Sequence, residues 1–508
     1  MQEESLVSAG KFPSHQEIKM KEHDPHGRRL PIKIDTASNG EHPPIPLSRE
    51  EIAANRLAHE YVGRYSRKLG KSRRDFLKSA CGAAATLLAF NHFWSSAGAK
   101  GGFFNIAEAA SVEEEAAAQA LTGKEIIIDL QNHCVDPSGD WAKGDDGRRW
   151  MEVLTEVFGQ ASKCAYDELE CYSAAQMIQE VFLDSDTDIS VISALWGGKG
   201  HNPTPTAYAV EAREMIRQEI GQKRGLIHGG VLPNEPGQLE FMEVQARQYK
   251  VDAWKLYPQW GPEGKGYFMD DPRFGIPVLE RARELEIPIV CAHRGLPLPQ
   301  LEYRYSHPAD IARVGRKFSD LTFICYHAGF EPGVVEGPYD SKNEKGIDRF
   351  ITAYLNNDFG VNEGNVYAEL GSCWRHYMSK PDQAAHLLGK LLKYCGDKRI
   401  CWGTDALWYG SPQDQIQAFR SFQISRQFQE MYGYPPLTDQ AKANILGGNA
   451  AHIHSIDLDG FALERQRDIL GRKKKLYAQS PNPSFRTYGP TSAEEFKQLW
   501  QRRRGRPG

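Results

Sequence analysis

The stretch "IIIDLQNHCVDP", Ile126 to Pro137, begins as a run of β-branched apolar residues and then sets Asp129, Gln131, Asn132 and His133 close together. A short apolar run closed by polar and turn-forming residues reads as a buried strand. Polar side chains at its carboxyl end read as the start of a site, because chemistry in parallel α/β folds collects where strands run out.

The pattern recurs along the chain. Further strand candidates are "ISVISAL" (Ile189 to Leu195), "GLIHGGVL" (Gly225 to Leu232), "DAWKLY" (Asp252 to Tyr257), "IPIVCA" (Ile287 to Ala292), "LTFICY" (Leu321 to Tyr326), "NVYAEL" (Asn365 to Leu370) and "ICWGT" (Ile400 to Thr404). Helical patterns such as "TAYAVEAREMIRQEIGQ" and "PDQAAHLLGKLLKYCG" separate them, and "DQAKANILGGNAAHIHSI" reads as the closing helix. Eight strand and helix units predict an α/β (β/α)8 barrel. A doubly wound sheet is disfavoured, since neither GxGxxG nor a Walker A loop follows any strand.

The strand ends carry the chemistry. His133 follows the first strand, His293 the fifth ("AHRG"), His327 the sixth ("YHAG") and Asp405 the eighth ("GTD"). Imidazole and carboxylate donors converging above a barrel axis are what a divalent ion needs, with a position left open for water or substrate. The bland alternative is strand-end capping by satisfied polar groups. Trp196, Trp260, Trp374 and Trp408 stand just past strands, where they either wall a pocket for a flat conjugated acid or pack loops against each other. Arg294 and Arg375 are candidate carboxylate forks by the same positional logic, weighed against ion pairing.

These motifs, in this order, resemble the amidohydrolase superfamily, in particular the branch of aminocarboxymuconate semialdehyde decarboxylase and related aromatic acid decarboxylases and hydrolases. "ILGGNAAHIHSI" is similar to that branch's terminal helix, and the resemblance spans roughly Lys124 to Ile456. It implies His133, His293 and Asp405 as ligands of one divalent metal, zinc first and manganese second, with His327 as general base and Asp405 also moving a proton. The branch's leading histidine is replaced by Gln131, a neutral and weaker donor, so contact with the metal there is expected to be weak or through water. Lys255 could suggest a carbamylated bridge between two metals, but one metal is the expectation. The implied reaction is hydrolysis or non-oxidative decarboxylation of a small carboxylated substrate. The rival is an exported ligand-binding pseudoenzyme with a decayed metal site.

Composition is compatible with this. A net charge of -4 and a pI near 6.5 argue against nucleic acid as the partner. The 9 cysteines lack metal-binding or scaffold spacing. Cys291, Cys325 and Cys401 sit in apolar runs as buried thiols, while Cys164 and Cys171 are close enough to bridge a loop. A homodimer is compatible with all of this.

Upstream, residues 1 to 71 form a polar extension expected to be largely disordered. It holds one helix, from Ser48, where Ser48 and Glu51 have capping-box spacing. Residues 72 to 110 are different. "SRRDFLK" (Ser72 to Lys78) followed by the Ala/Gly-rich run ending in "AGA" resembles a twin-arginine export signal, which implies the twin-arginine machinery as partner and a periplasmic destination. Cleavage after Ala99 or Ala109, or an uncleaved membrane anchor, are the two outcomes expected of it; the alternative is a basic amphipathic helix within the folded domain. The catalytic domain is placed at residues 123 to 456, and residues 457 to 508 read as a basic, solvated extension.

Overall fold

The computed structural model describes residues 22–34, 44–152, 154, 169–198, 200–262, 265–297, 302–465, 467–487, 492–494 and 496. Eight parallel strands follow in chain order: β2 (Ile128–Asn132), β3 (Ile189–Ser193), β4 (Gly225–Val231), β5 (Ala253–Leu256), β6 (Ile289–His293), β7 (Thr322–Tyr326), β8 (Val366–Glu369) and β9 (Ile400–Cys401). The sheet closes on itself. Leu130 N donates to Trp402 O, Asp405 N to Gln131 O and His133 N to Ala406 O, so β2 pairs with the chain running past β9. This is the (β/α)8 barrel that the strand spacing predicts.

Alternation sorts each strand between two cores. Ile128, Leu130, Val191, Ile289, Ile324 and Tyr367 belong to one cluster. Ile127, Ile192, Val290, Phe323 and Val366 pack in the larger core with the helices. A register shift between Asp129 and Asn132 in the β2–β3 pairing interrupts the alternation at the strand's carboxyl end. Such bulges re-aim side chains. The closing helical segment holds β9 through Asn449, whose Nδ2 donates to Ile400 O at 2.7 Å. Gly447 is required there, since a Cβ would stand 2.0 Å from Ile126 O.

Before the barrel lie α1 (Arg49–Lys68), α2 (Arg73–Leu77), α3 (Ala80–Ser96) and β1 (Gly102–Phe104). The capping box forms as expected: Ser48 Oγ accepts from Glu51 N and Glu51 Oε2 accepts from Ser48 N, satisfying donors the helix start would leave open. Every residue from Cys81 to Phe90 on α3 is buried, against α1 and the barrel's outer core. β1 pairs antiparallel with β10 (Phe422–Ile424), and Asn91 exchanges two hydrogen bonds with Phe104. The paired arginines of "SRRDFLK" are engaged within the fold: Arg73 donates to Gly27 O and His59 O, and Arg74 to Pro483 O. Among the described residues no helix is long and apolar enough to cross a membrane.

Two expectations are corrected here. The polar lead is packed where "LPIKI" alternates: Leu30, Ile32 and Ile34 are buried, and Lys33 Nζ donates to Tyr409 O and Ser411 O. The C-terminal extension is anchored rather than simply solvated, with Arg465 donating to Glu125 O and Asp468 pairing with Arg224. The terminal "QRRRGRPG" lies outside the described residues.

The thiols behave as expected, with Cys291, Cys325 and Cys401 free and buried. Cys171 is disulfide-bonded, and Cys164 lies outside the described residues.

Candidate active site

Four of the expected residues meet at the barrel mouth, each delivered by a strand end. Gln131 Nε2 lies 3.2 Å from His327 Nε2 and 3.2 Å from Asp405 Oδ1. His133 Nε2 stands 3.2 Å from the same Asp405 oxygen. All four are buried. His133 Nδ1 faces Ser193 O at 2.9 Å and His327 Nδ1 faces Gly371 O at 2.9 Å. A carbonyl only accepts, so both rings carry a proton on Nδ1; Nε2 of His327 points into the cluster as a lone pair toward the Gln131 amide, while Nε2 of His133 faces the Asp405 carboxylate.

His293 sits beside this cluster. Its ring is 4.6 Å from that of His327, and Tyr257 stacks on it at 5.1 Å. His293 Nε2 donates to Leu296 O at 2.9 Å, which leaves Nδ1 as a buried nitrogen without a hydrogen-bond partner. Gln131 Oε1 is likewise buried and unpartnered. Unsatisfied buried polar atoms are rare and mark a place where something else belongs.

Electrostatics separate the roles. Burial lowers the His327 imidazole to about 4, so it is neutral at ordinary pH. Burial also holds His293 well below the usual imidazole range. Burial alone would raise the Asp405 carboxyl, but the hydrogen bond from His133, the neighbouring imidazoles and the Ser372 hydroxyl together keep it below the usual carboxylate range. Glu369, under the cluster, goes the other way: burial pushes it up to about 8. His327, Ser372 and Asp405 all have φ in the left-handed region, at 67°, 59° and 61°. Non-glycine residues there cost roughly 1–3 kcal/mol each and gather at functional sites.

The remaining candidates divide. Trp196, Trp260 and Trp408 come together above the mouth with Trp141, Trp150 and Tyr172, and Trp408 stacks on the His133 ring at 5.8 Å. Trp374 does not join them: it packs against Phe419 and Phe422 in the outer core and donates to Gln415 O. The short helix Cys373–Tyr377 turns it outward, so its reading as a pocket wall is corrected. Arg294 is corrected too, since its Nε, Nη1 and Nη2 are engaged by Asp310 and Tyr305 O inside the protein. Arg375 stays near the mouth, its guanidinium over the Tyr409 ring, and Tyr409 Oη is 3.0 Å from Ser372 Oγ. Lys255 places its ammonium 3.5 Å from the centre of the Tyr326 ring.

Glu369 and Ser372 went unnoticed in the sequence. Ser372 Oγ donates to Asp405 Oδ2 at 2.6 Å, and Glu369 Oε2 accepts from His327 N at 3.0 Å. The signal lies in "AELGS", Ala368 to Ser372, which carries the end of the seventh barrel strand into the turn beyond it.

A divalent ion fits this donor set in its chemistry. His133 Nε2 and Asp405 Oδ1 face each other across a separation that two ligands of one ion adopt, and His293 Nδ1 is an orphaned third nitrogen. As they stand, no three His, Cys, Asp or Glu side chains among the described residues form a group that could hold an ion.

Comparison with solved structures finds an uncharacterized TIM-barrel protein from Bordetella bronchiseptica, 15% identical, with a TM-score of 0.42 over 65% of this chain and 98% of that one. 5-Carboxyvanillate decarboxylase from Sphingomonas paucimobilis is 15% identical, with a TM-score of 0.41 over 65% of this chain and 99% of that one. A dihydroxybenzoic acid decarboxylase from Polaromonas sp. JS666, solved with bound manganese and 2-nitroresorcinol, is 13% identical, with a TM-score of 0.37 over 65% of this chain and 97% of that one. No curated protein is a significant match. The amidohydrolase family model matches residues 184–454, which takes in β3 to β9 and the closing helix, and the chain belongs to the amidohydrolase family.

Proposed function

We propose that the protein is a mononuclear, metal-dependent hydrolase or carboxy-lyase of the branch typified by aminocarboxymuconate semialdehyde decarboxylase, acting on a small carboxylated and conjugated substrate. The observation that carries this is the buried cluster of Gln131, His133, His327 and Asp405, drawn from three strand ends and rimmed by unpartnered donors.

A divalent ion, zinc first and manganese second, would be held by His133, His293 and Asp405, and would supply Lewis acidity and water of lowered pKa. Gln131 would present Oε1 to it only after a half-turn of the amide, as a weak donor. The protein's own part is proton traffic and enclosure. His327, neutral and fixed by Gly371 O, accepts a proton at Nε2; Asp405, ionised and fixed by Ser372, steadies the protonated imidazole. Arg375, near the mouth over the Tyr409 ring, is the candidate fork for a substrate carboxylate, and Trp196, Trp260 and Trp408 exclude water above it.

His327→Ala should lower turnover by about 10²- to 10⁴-fold while keeping metal, whereas Asp405→Ala loses both. Aromatic and muconate-type acids, followed for carbon dioxide release and for acyl cleavage, provide the assay. Normal turnover in His327→Ala overturns the base assignment. Replacing Gln131 with His should tighten metal binding; unchanged affinity places the glutamine against substrate instead.

A second reading, a ligand-capturing barrel without catalysis, draws on the incomplete three-donor set. Elemental analysis of gently purified protein separates the two. Metal below about a tenth of an ion per chain, unrecovered on adding zinc or manganese, favours capture.

We also propose export by the twin-arginine route, supported by the complete "SRRDFLK" pattern. The burial of α3 supports retention of the segment after folding rather than cleavage after Ala99 or Ala109. The mass of the exported chain distinguishes these, and Arg73→Lys with Arg74→Lys should hold the protein in the cytoplasm.

A further inference from the structure

Behind the cluster, the turn after β8 touches both residues assigned to proton transfer. Glu369 Oε2 accepts from His327 N at 3.0 Å, and Oε1 accepts from Gly371 N at 2.5 Å. Gly371 O in turn accepts from His327 Nδ1, and Ser372 Oγ donates to Asp405 Oδ2. One carboxyl group therefore holds the backbone of His327 and the peptide that fixes its ring, within a turn whose next residue anchors Asp405.

The chain makes room for this group. A Cβ on Gly403 would lie 1.6 Å from Glu369 Oε1, and one on Gly371 would lie 2.6 Å from it and 2.1 Å from Gln131 Oε1. Both glycines thus admit the carboxyl between β8 and the chain past β9. The conformations it secures are otherwise unfavourable: His327, Ala328 and Gly329 run consecutively through positive φ at 67°, 46° and 79°. Positive φ in two successive non-glycine residues needs outside support. Burying a carboxyl against two backbone N–H groups is costly, and it is tolerated where the fold requires its acceptors.

We propose that Glu369 is a positioning residue: through the Gly371–Ser372 turn it sets the ring tautomer of His327 and the orientation of Asp405 together. The role of these two residues in proton transfer rests on the function proposed above, but the geometric claim is testable without it.

The tautomer supplies the readout, because which imidazole nitrogen carries the proton is decided by the hydrogen bond the other makes. Nitrogen-15 NMR of the histidine rings in the intact protein, without substrate or added metal, reports it, with His327 assigned by its loss in His327→Gln. In the parent protein His327 should be a single Nδ1–H form. In Glu369→Gln one of the two backbone donors meets an amide NH₂ instead of an oxygen, the turn shifts, and the Nδ1–H share should fall to about half. Unchanged ring signals from His228 and His454 confirm that the barrel is intact.

If Glu369→Gln does not fold, Gly371→Ala displaces the same turn from its other side and should give the same mixture. Ser372→Ala, which removes only the Asp405 contact, should leave the His327 tautomer single. A single Nδ1–H form in a folded Glu369→Gln or Gly371→Ala variant overturns the proposal, as does an Nε2–H form in the parent. Loss of turnover in His327→Ala is a separate result, so the base assignment and the positioning role can fail independently.

Discussion

Two buried acid–base pairs stand near each other at the mouth of the barrel, and they are built differently. Arg294, next to the last residue of β6, is fully enclosed with Asp310; its Nε and Nη2 go to that carboxylate and its Nη1 to Tyr305 O. His133 and Asp405, where β2 meets the chain past β9, are as deeply buried, yet beside them Gln131 Oε1 and His293 Nδ1 end without partners. A closed set fastens the fold. An open one keeps capacity for a ligand, at a cost in stability that the surrounding packing has to cover.

The N-terminal helices are a closed set of another kind, made of packing rather than ions, and removing them has the largest expected effect. Leu87, Leu88 and Phe90, with the alanines around them, are fully or almost fully buried. Deleting residues 1–99 exposes that surface and the barrel face beneath it. The loss is on the order of 10 kcal/mol, comparable to the whole stability of an ordinary domain. The truncated chain should be insoluble or bind a hydrophobic dye at 25 °C; a soluble, cooperatively melting product would show that the barrel stands alone.

Arg294→Ala breaks the closed ion pair and should cost about 3–5 kcal/mol, because Asp310 is left buried without its cation, keeping the hydrogen bond from Met269 N. Metal content in the folded fraction should not change. Asp405→Asn should do the reverse, abolishing metal binding with a stability change within about 1 kcal/mol. Denaturant midpoints and elemental analysis on both variants test the contrast, and equal stability losses would erase it.

The distinction between open and closed sets was only partly legible in the sequence. Inspecting the residue past each strand found His133, His293, His327 and Asp405, because strand ends are fixed by the apolar runs preceding them. The same inspection gave Arg294 a substrate role, since Asp310 pairs with it across a loop and no local pattern announces that. Trp374 misled for a related reason: the turn Gly371–Ser372 and the helix behind it reverse the chain. "SRRDFLK" fits an export motif and also packs into the fold; nothing local distinguishes an arginine awaiting a receptor from one donating to Pro483 O.

Histidines offer a finer comparison. His386, on the outer helix Pro381–Tyr394, is lowered to about 4 chiefly by burial and then by Lys390, matching the value for His327. Its environment is closed: Nδ1 pairs with Tyr434 Oη at 2.8 Å, and Phe428 and Tyr432 enclose the ring. Below pH 6.5 the unfolded chain takes up a proton that folded His386 refuses until about 4, so stability falls as pH drops through that window. The contribution is about 3 kcal/mol. His386→Phe should flatten the fall in melting temperature between pH 6.5 and 4; an unchanged profile would mean that other groups carry the acid sensitivity.

The smallest effects come from the tryptophans, and they separate the sets most cleanly. Trp374→Phe removes one hydrogen bond, to Gln415 O, and part of a ring from the outer core, costing about 1–2 kcal/mol. It should leave ligand binding alone, because its ring packs against Phe419 and Phe422 in the outer core rather than over the cluster. Trp408→Phe keeps a ring over His133 but shrinks it, so stability should move by less than about 1 kcal/mol. On the function proposed above, the affinity for a flat acid, measured by calorimetry with protein to which zinc or manganese has been added, should instead weaken by a few-fold, as expected where one aromatic contact is worth about 1 kcal/mol. If Trp374→Phe weakens binding and Trp408→Phe does not, the aromatic roof belongs to the closed part of the structure, and the pocket must open on the Arg375 side.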